Sequence, residues 1–281
     1  MTVDPPSPGP ILVAHLLPEI ESHLLELLRA LRPDEWRLPT LAPAWTVKDV
    51  AAHLLDTQLR RLALCRDGHV PPGASPSSPA EVSALVNRLN AEGVAYYARL
   101  SPDVLIALME VASRESAAYL QSLDPLGPAA FGVSWAGEDT SANWFDVARE
   151  LTERWHHQQQ IREATGRPGI MTPRLYGPVL DCFMRGLPHA YRAVAASPGD
   201  TVRFDVVGDC GGSWWLHRTA RGWQLTASEH GRVVARTLIP QEIAWRIFTK
   251  GIGPAEARSL VTTSGDAALG AHVLEMVAIV A

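Results

Sequence analysis

The sequence predicts a helix bundle over residues 1–196 and a small α+β domain over residues 197–281. Through most of the first part, apolar residues recur three or four positions apart, which is typical of amphipathic helices. Near residue 197 the pattern changes to strict alternation, which is typical of half-buried strands. A length of 281 residues is also long for one compact domain, so we expect two.

Composition excludes several classes of protein. A net charge of -5 argues against an electrostatic nucleic-acid binder, and no apolar run approaches membrane-spanning length. Cys65, Cys182 and Cys210 are far apart and odd in number, so they predict free thiols in a reducing cytoplasm. We therefore expect a cytoplasmic monomer or homodimer that binds neither nucleic acid nor membrane.

The first part contains helices with clear start and stop signals. A helix over residues 11–31 ends before Pro33, and a capping box of Thr46 and Asp49 begins a second helix that runs to about Cys65. Links rich in Gly, Pro and Ser separate the further helices. These are expected at 79–97, at 101–123, from a cap at Ser141 or Asn143 to about 164, and at 173–195.

The second part contains short apolar segments separated by glycine-bearing turns, at 202–206, 214–216, 223–225 and 233–238. They predict a four-stranded antiparallel meander. The remaining segments, at 240–250, 255–260 and 266–280, are expected to be helical.

One predicted helix carries a candidate metal site. Glu153 and His157 are four residues apart, which places both side chains on one face of a helix. They can bind one metal ion, with His53 of the second helix as third ligand, leaving the fourth position open as in catalytic zinc sites. The same spacing is common for surface pairs, and His156 is a competing ligand. Taken alone, a histidine in this position is more often a part-buried residue at the edge of the core than a ligand.

Four tryptophans near the predicted helix ends, Trp36, Trp45, Trp135 and Trp144, have two interpretations. They could line a substrate cleft. Alternatively, they pack the irregular links against the bundle, which we expect because tryptophan is buried on average.

Two stretches carry a family resemblance: Trp36-x-x-Pro39-Thr40 with Trp45-Thr46-Val47-x-Asp49-Val50-x-x-His53-Leu54, and Glu153-x-x-x-His157 with Ile161-x-x-Ala164-x-Gly166-Arg167-Pro168. They resemble the mycothiol-dependent maleylpyruvate isomerase family, whose N-terminal part belongs to the DinB-like metal-binding four-helix bundles. The resemblance implies an up-down four-helix bundle and a C-terminal sterol-carrier-like α+β domain. It also implies a divalent metal, zinc or else nickel or another ion, on His53, Glu153 and His157. His156 would then be an outward or neighbouring residue.

The resemblance further implies an enzyme that activates a low-molecular-weight thiol, mycothiol, for attack on a small electrophile, as transferase or isomerase. Lysine is scarce beside arginine, which indicates a GC-rich genome, and an actinobacterial source would favour mycothiol. The family's isomerases have a substrate-side arginine after a Trp-Leu-Thr-Gly turn. Here no arginine follows Gly251, so Arg246 and Lys250 are the candidate catalytic residues.

Lysine cannot supply the two-pronged hydrogen bonding of arginine to a carboxylate, so maleylpyruvate itself is not the expected substrate. Two other functions stay open. One is a hydrolase in which water takes the fourth metal position. The other is a non-enzymatic protein that binds a small apolar ligand in its second domain.

Overall fold

The computed structural model describes residues 5–70 and 79–279, so most of the link expected at 68–79 lies outside the described residues. The described residues form two compact units. The bundle unit lies within residues 12–132 and 140–170, and the sheet unit comprises residues 5–11, 133–139 and 171–279.

The bundle unit is helical, as the apolar spacing predicts. Its α-helices are α1 (Leu17–Arg29), α2 (Val47–Arg61), α3 (Pro79–Tyr97), α4 (Pro102–Gln121) and α5 (Asn143–Thr165), and a π-helical turn, Leu62–Arg66, continues α2. Helices α1, α2, α4 and α5 pack on one another, and α3 packs on α2. Their apolar faces meet in a core that includes Leu28, Val50, Leu54, Leu105 and Met109.

Local sequence sets the ends of the two helices that matter for the site. At the start of α2, the Thr46 side chain accepts the Asp49 backbone N–H, and the Asp49 carboxylate accepts the Thr46 N–H, which confirms the capping box. Helix α5 ends at Gly166, which adopts φ 65°. Its N-cap is Ala142, without a side-chain cap, so the expected cap by Ser141 or Asn143 is wrong. The Asn143 amide donates instead to the Asp124 carbonyl.

The sheet unit departs from the predicted four-stranded antiparallel meander. Its strands are β1 (Asp200–Val207), β2 (Gly212–Arg218), β3 (Trp223–Thr226), β4 (Arg232–Pro240) and β5 (Thr262–Gly265). They lie in the order β3-β2-β1-β4-β5, and β1 pairs with β4 in parallel while the other neighbouring pairs are antiparallel.

Both errors have a physical reason. Strand β4 returns to the free edge of β1 instead of adding to β3, and local alternation contains no information about which edge a strand joins. Strand β5 reads Thr-Thr-Ser-Gly and is largely exposed, so it lacks the apolar alternation that would distinguish it from the helical segments predicted around it.

Further helices cover the sheet. They are α6 (Pro173–Met184), α7 (Leu187–Ala190), α8 (Gln241–Phe248), α9 (Pro254–Leu260) and α10 (Ala267–Ala271). The Tyr176 hydroxyl donates to the Gln241 carbonyl and the Tyr191 hydroxyl to the Leu269 carbonyl, each at 2.8 Å. Residues 171–196 therefore pack within the sheet unit, although the sequence assigns them to the N-terminal domain. A folding boundary near residue 197 stays a prediction.

Within the described ranges, no helix combines the length and the apolar character needed to cross a membrane.

Candidate metal centre in the helix bundle

Helices α2 and α5 bring the predicted site residues together. His53 projects from α2, and Glu153 and His157 project from α5. The His53 and His157 rings lie 4.6 Å apart between centroids, and the Nε2 atom of His157 lies 3.6 Å from a carboxylate oxygen of Glu153. Both histidines are buried, whereas the Glu153 side chain is 23% exposed.

His53 has a feature that hydrogen bonding in the protein leaves unexplained. Its Nδ1 atom is buried and has no hydrogen-bond partner in the described part of the chain. A buried polar atom without a partner costs free energy, so native structures rarely contain one. A neutral His53 ring with its proton on Nε2 would leave an electron pair on Nδ1, and the ring centroid lies 4.6 Å from that of His157.

His157 also has a partner at Nδ1, the ring nitrogen other than the one near Glu153. Its Nδ1 lies 2.9 Å from the Gln160 Oε1 atom, which can only accept, so this contact is a hydrogen bond in the tautomer that has its proton on Nδ1 and an electron pair on Nε2. Sequence analysis missed Gln160. Its position three residues after His157, on the same helix face, is the signal that could have indicated it.

His156 is part of the cluster, contrary to one expectation. It is 2% exposed, so an outward position is wrong; α5 is buried on almost every side at this level. Among the described residues, Glu153, His156 and His157 offer ligand atoms that all lie within 4.8 Å of one another, and the predicted ligand His53 is not in this group. The Nδ1 atom of His156 lies 3.0 Å from the Thr152 carbonyl oxygen, so it donates within its own helix.

Burial changes the charge state of the cluster. It lowers the pKa of His157 to about 3 and that of His156 to about 4, and it places the pKa of His53 well below the usual range. Burial also raises the pKa of Glu153, against the opposing effects of His157 and Arg149. Neutral imidazoles beside a partly desolvated carboxylate are the form in which these side chains bind divalent metals.

The donor set fits a divalent metal. It combines imidazole nitrogen and carboxylate oxygen, which zinc accepts in catalytic sites, and one donor atom is buried without a partner. Trp45 covers the histidines, with its ring centroid 4.7 Å from that of His53 and 6.1 Å from that of His157.

The other tryptophans have packing contacts. Trp36 is in the bundle core, Trp144 stacks on Phe145, and Trp135 packs close to Gly186 in the sheet unit. Trp45, in contrast, contacts the rings of both His53 and His157.

A buried ion-pair network adjoins the site on α5, and sequence analysis missed it. The Arg61 guanidinium donates to Asp146 and to Glu150, each with a 2.6 Å contact. Further along, Arg154 pairs with Glu21 of α1. Acidic and basic residues four apart on an otherwise buried helix were the available signal, but their partners on α2 are more than eighty positions away.

Arg246 and Lys250 lie in the sheet unit, around the end of α8. Arg246 is in the last turn of α8, with its guanidinium carbon 5.7 Å from the Trp245 ring centroid. Lys250 follows the helix with φ 61°, and the Gly251 N–H donates to the Arg246 carbonyl at 2.7 Å. Their role toward a substrate stays a prediction.

Fold and site together define a class: a chain with a helical unit that contains a buried Glu/His cluster and a second unit built on a mixed sheet. The family described as mycothiol maleylpyruvate isomerase N-terminal domain matches residues 17–162, more than half of the chain. The protein belongs to this family, which confirms the predicted membership and places it in a family of enzymes.

Two solved structures are similar. A crystal structure of a histidine-to-alanine variant of the mycothiol-dependent maleylpyruvate isomerase has a TM-score of 0.50 and 14% identity, covering 89% of this chain and 91% of that chain. Another crystal structure of that isomerase gives a TM-score of 0.48 with the same identity and coverage. At this identity the likeness concerns the fold. No curated protein sequence matches the chain.

Proposed function

We propose that the protein is a metal-dependent enzyme that activates a small thiol, mycothiol, for attack on an electrophilic small molecule. The metal, zinc or another divalent ion, would be bound by His53, Glu153 and His157. The observation that carries the proposal is the buried, unpartnered Nδ1 atom of His53, on a ring whose centroid lies 4.6 Å from that of His157, while the Nε2 atom of His157 lies 3.6 Å from the Glu153 carboxylate.

The choice of His53 over His156 as third ligand rests on hydrogen bonding. The Nδ1–H of His156 donates to the Thr152 carbonyl, so the ring side near Glu153 already has a partner. The corresponding atom of His53 has none. A ligand set that satisfies His53 removes a cost that the metal-free bundle would otherwise bear.

A bound divalent cation supplies positive charge that favours the thiolate form of a small thiol over the neutral thiol. The residues of the chain would bind the metal and exclude water from its surroundings. His53 and His157 stay neutral because they are buried, and Trp45 covers their rings from one side. A thiolate positioned in this way gains both nucleophilicity and orientation.

In the transferase case, a new carbon–sulfur bond forms and the displaced group leaves with the electron pair. In the isomerase case, the thiolate adds to a double bond, the resulting single bond rotates, and elimination restores the thiolate. Family membership supports a thiol cosubstrate. Arg246 or Lys250 would bind the anionic part of a substrate, and the absence of an arginine after Gly251 favours a substrate other than maleylpyruvate.

Cobalt substitution tests the proposal. Adding mycothiol to the cobalt protein should produce a sulfur-to-cobalt charge-transfer band that is absent in His53→Ala, with bacillithiol, glutathione and cysteine as comparison thiols. Turnover in thiol-free buffer, with a cobalt spectrum that no thiol perturbs, would instead support a hydrolase. Metal removal that melts the protein, with no reaction found for the metal-loaded form, would support a binding protein.

A further inference from the structure

We infer that Gln160 is a positioning residue: it fixes His157 in the neutral tautomer that has its proton on Nδ1, and so presents Nε2 as a ligand atom. The inference rests on the proposed function and adds to it a residue outside the predicted ligand set.

The two ring nitrogens of His157 have different neighbours: Gln160 at Nδ1 and Glu153 at Nε2. The Gln160 Oε1 atom lies 2.9 Å from His157 Nδ1, and both residues are buried on α5. A neutral imidazole has a single ring proton, and an amide oxygen can only accept it. Because Nδ1 donates to Gln160, the electron pair of Nε2 is free, and Nε2 is the atom that lies 3.6 Å from the Glu153 carboxylate.

Without Gln160, the same surroundings would favour the wrong tautomer. The Glu153 carboxylate, 3.6 Å from Nε2, would then attract the ring proton to that nitrogen. A protonated Nε2 cannot bind a cation, so the metal would first have to displace that proton. A hydrogen bond to the distal nitrogen is the usual way in which proteins fix the tautomer and orientation of a ligating histidine.

The chain contains its own control. Residues 158–160 are consecutive glutamines, and all are buried on α5. Gln158 is fully buried and donates to the Ile20 carbonyl at 3.3 Å, whereas Gln160 is bonded to a proposed ligand. Gln158→Met and Gln160→Met therefore make the same change in size and polarity on one helix, with only the second removing the acceptor for His157.

The first measurement needs no metal. Nitrogen-15 NMR of the imidazole rings in the metal-free protein should show His157 with its proton on Nδ1 in the wild type and in Gln158→Met. In Gln160→Met the population should shift toward the Nε2–H form. A His157 tautomer that is the same in Gln160→Met and in wild type would overturn the inference.

The second measurement is zinc affinity by competition with a chelator. Gln160→Met should bind zinc about 10–100-fold more weakly, Gln158→Met should match the wild type, and Gln160→Glu, which restores an acceptor, should recover most of the loss. Equal losses in Gln158→Met and Gln160→Met would overturn the inference. A wild-type protein that takes up no zinc, yet has the Nδ1–H tautomer, would overturn the proposed function alone.

Discussion

The two units bury different kinds of side chain. The largest fully buried side chains of the sheet unit are aromatic, namely Tyr176, Phe183, Tyr191, Phe204, Trp245 and Phe248. Its buried Asp205 contacts Arg203 and Arg236, whose side chains are 29% and 45% exposed, so that charge lies close to water. The bundle unit instead buries complete ion pairs, with Arg61, Asp146 and Arg154 all no more than 6% exposed.

We interpret this difference as a sign that the functional site lies in the bundle unit. Moving an ion pair out of water costs several kcal/mol per ion, and the attraction between the two charges has to offset this cost. Apolar residues in the same place are often at least as stable. The bundle nevertheless has such pairs beside a cluster of neutral histidines, and Arg149 joins the two by interacting with Asp146 and with Glu153. We interpret the network as the rigid electrostatic surroundings of the proposed metal centre.

The largest expected effect compares the two interiors directly. Arg61→Leu should lower the free energy of unfolding by about 3–5 kcal/mol, because Asp146 and Glu150 lose their shared buried cation. Phe204→Ala should lower it by about 3–5 kcal/mol as well, through the cavity left in the sheet unit. Denaturant unfolding at pH 7 measures both, and a loss below about 1 kcal/mol for Arg61→Leu would mean that the network is not buried as described.

Lowering the pH should distinguish the destabilisation of Arg61→Leu from that of Phe204→Ala. Burial alone would raise the pKa of Glu150, but Arg61, with Arg149 and Arg154, lowers it from 4.5 to about 2. A carboxyl group with a lowered pKa stabilises the fold above its unfolded value, and this contribution disappears as the pH falls through the folded value. The deficit of Arg61→Leu relative to wild type should therefore be complete at pH 7 and shrink from about pH 4.5 downward. The Phe204→Ala deficit should stay; parallel shrinkage in both variants would contradict this.

The next effect concerns the metal. His157→Ala should lose most of its bound metal, whereas His156→Ala should retain it, because the His156 nitrogen nearest Glu153 is Nδ1, which already donates to the Thr152 carbonyl. Elemental analysis of the purified variants gives the ranking. Removing metal from the wild type should also lower its stability, by about 2.7 kcal/mol relative to a free metal concentration one hundred times the Kd. Metal retained by His157→Ala and lost from His156→Ala would reverse the ligand assignment.

The features of the bundle that the sequence predicts correctly are those that depend on a local pattern. The capping box at Thr46 and the helical spacing of Glu153 and His157 are read over a few residues, and the structure has both where expected. No local pattern joins His53 to α5, and the family resemblance is what supports it as the third ligand. The pairing of Arg61 with Asp146 and the hydrogen bond from His157 to Gln160 depend on packing and rotamer. Helical spacing shows only that such contacts are allowed.

The sheet was less predictable for a similar reason. Alternation identified β1 to β4 as strands, but it contains no information about β4 pairing with the free edge of β1. The helices after β4 help to hold it there, since α10 packs on both β4 and β5. That arrangement has no signature within any single strand.

A smaller effect compares two helix caps. Thr46 caps α2 in the bundle unit, and Thr172 caps α6 in the sheet unit by accepting the Leu175 N–H. Thr46→Ala and Thr172→Ala should each cost about 1 kcal/mol. Only Thr46→Ala should also weaken zinc binding, because α2 carries His53 two turns later. Zinc competition should show Thr172→Ala at wild-type affinity, and equal weakening in both would remove the proposed link between the α2 cap and the site.

The smallest perturbation is a single cut in the wild-type chain. Arg192 is exposed in the segment before β1, whereas Arg149 and Arg154 of α5 are largely buried, so limited trypsin digestion should cut after Arg192 before it cuts within α5. Early cuts within residues 151–161 would contradict the bundle.

The behaviour of the cleaved protein then locates the domain boundary. If α6 and α7 belong to the sheet unit, the bonds from Tyr176 to Gln241 and from Tyr191 to Leu269 span the nick, and native gel filtration should show one species. If the chain instead folds as domains that meet near residue 197, the fragments should separate, each retaining its own secondary structure by circular dichroism.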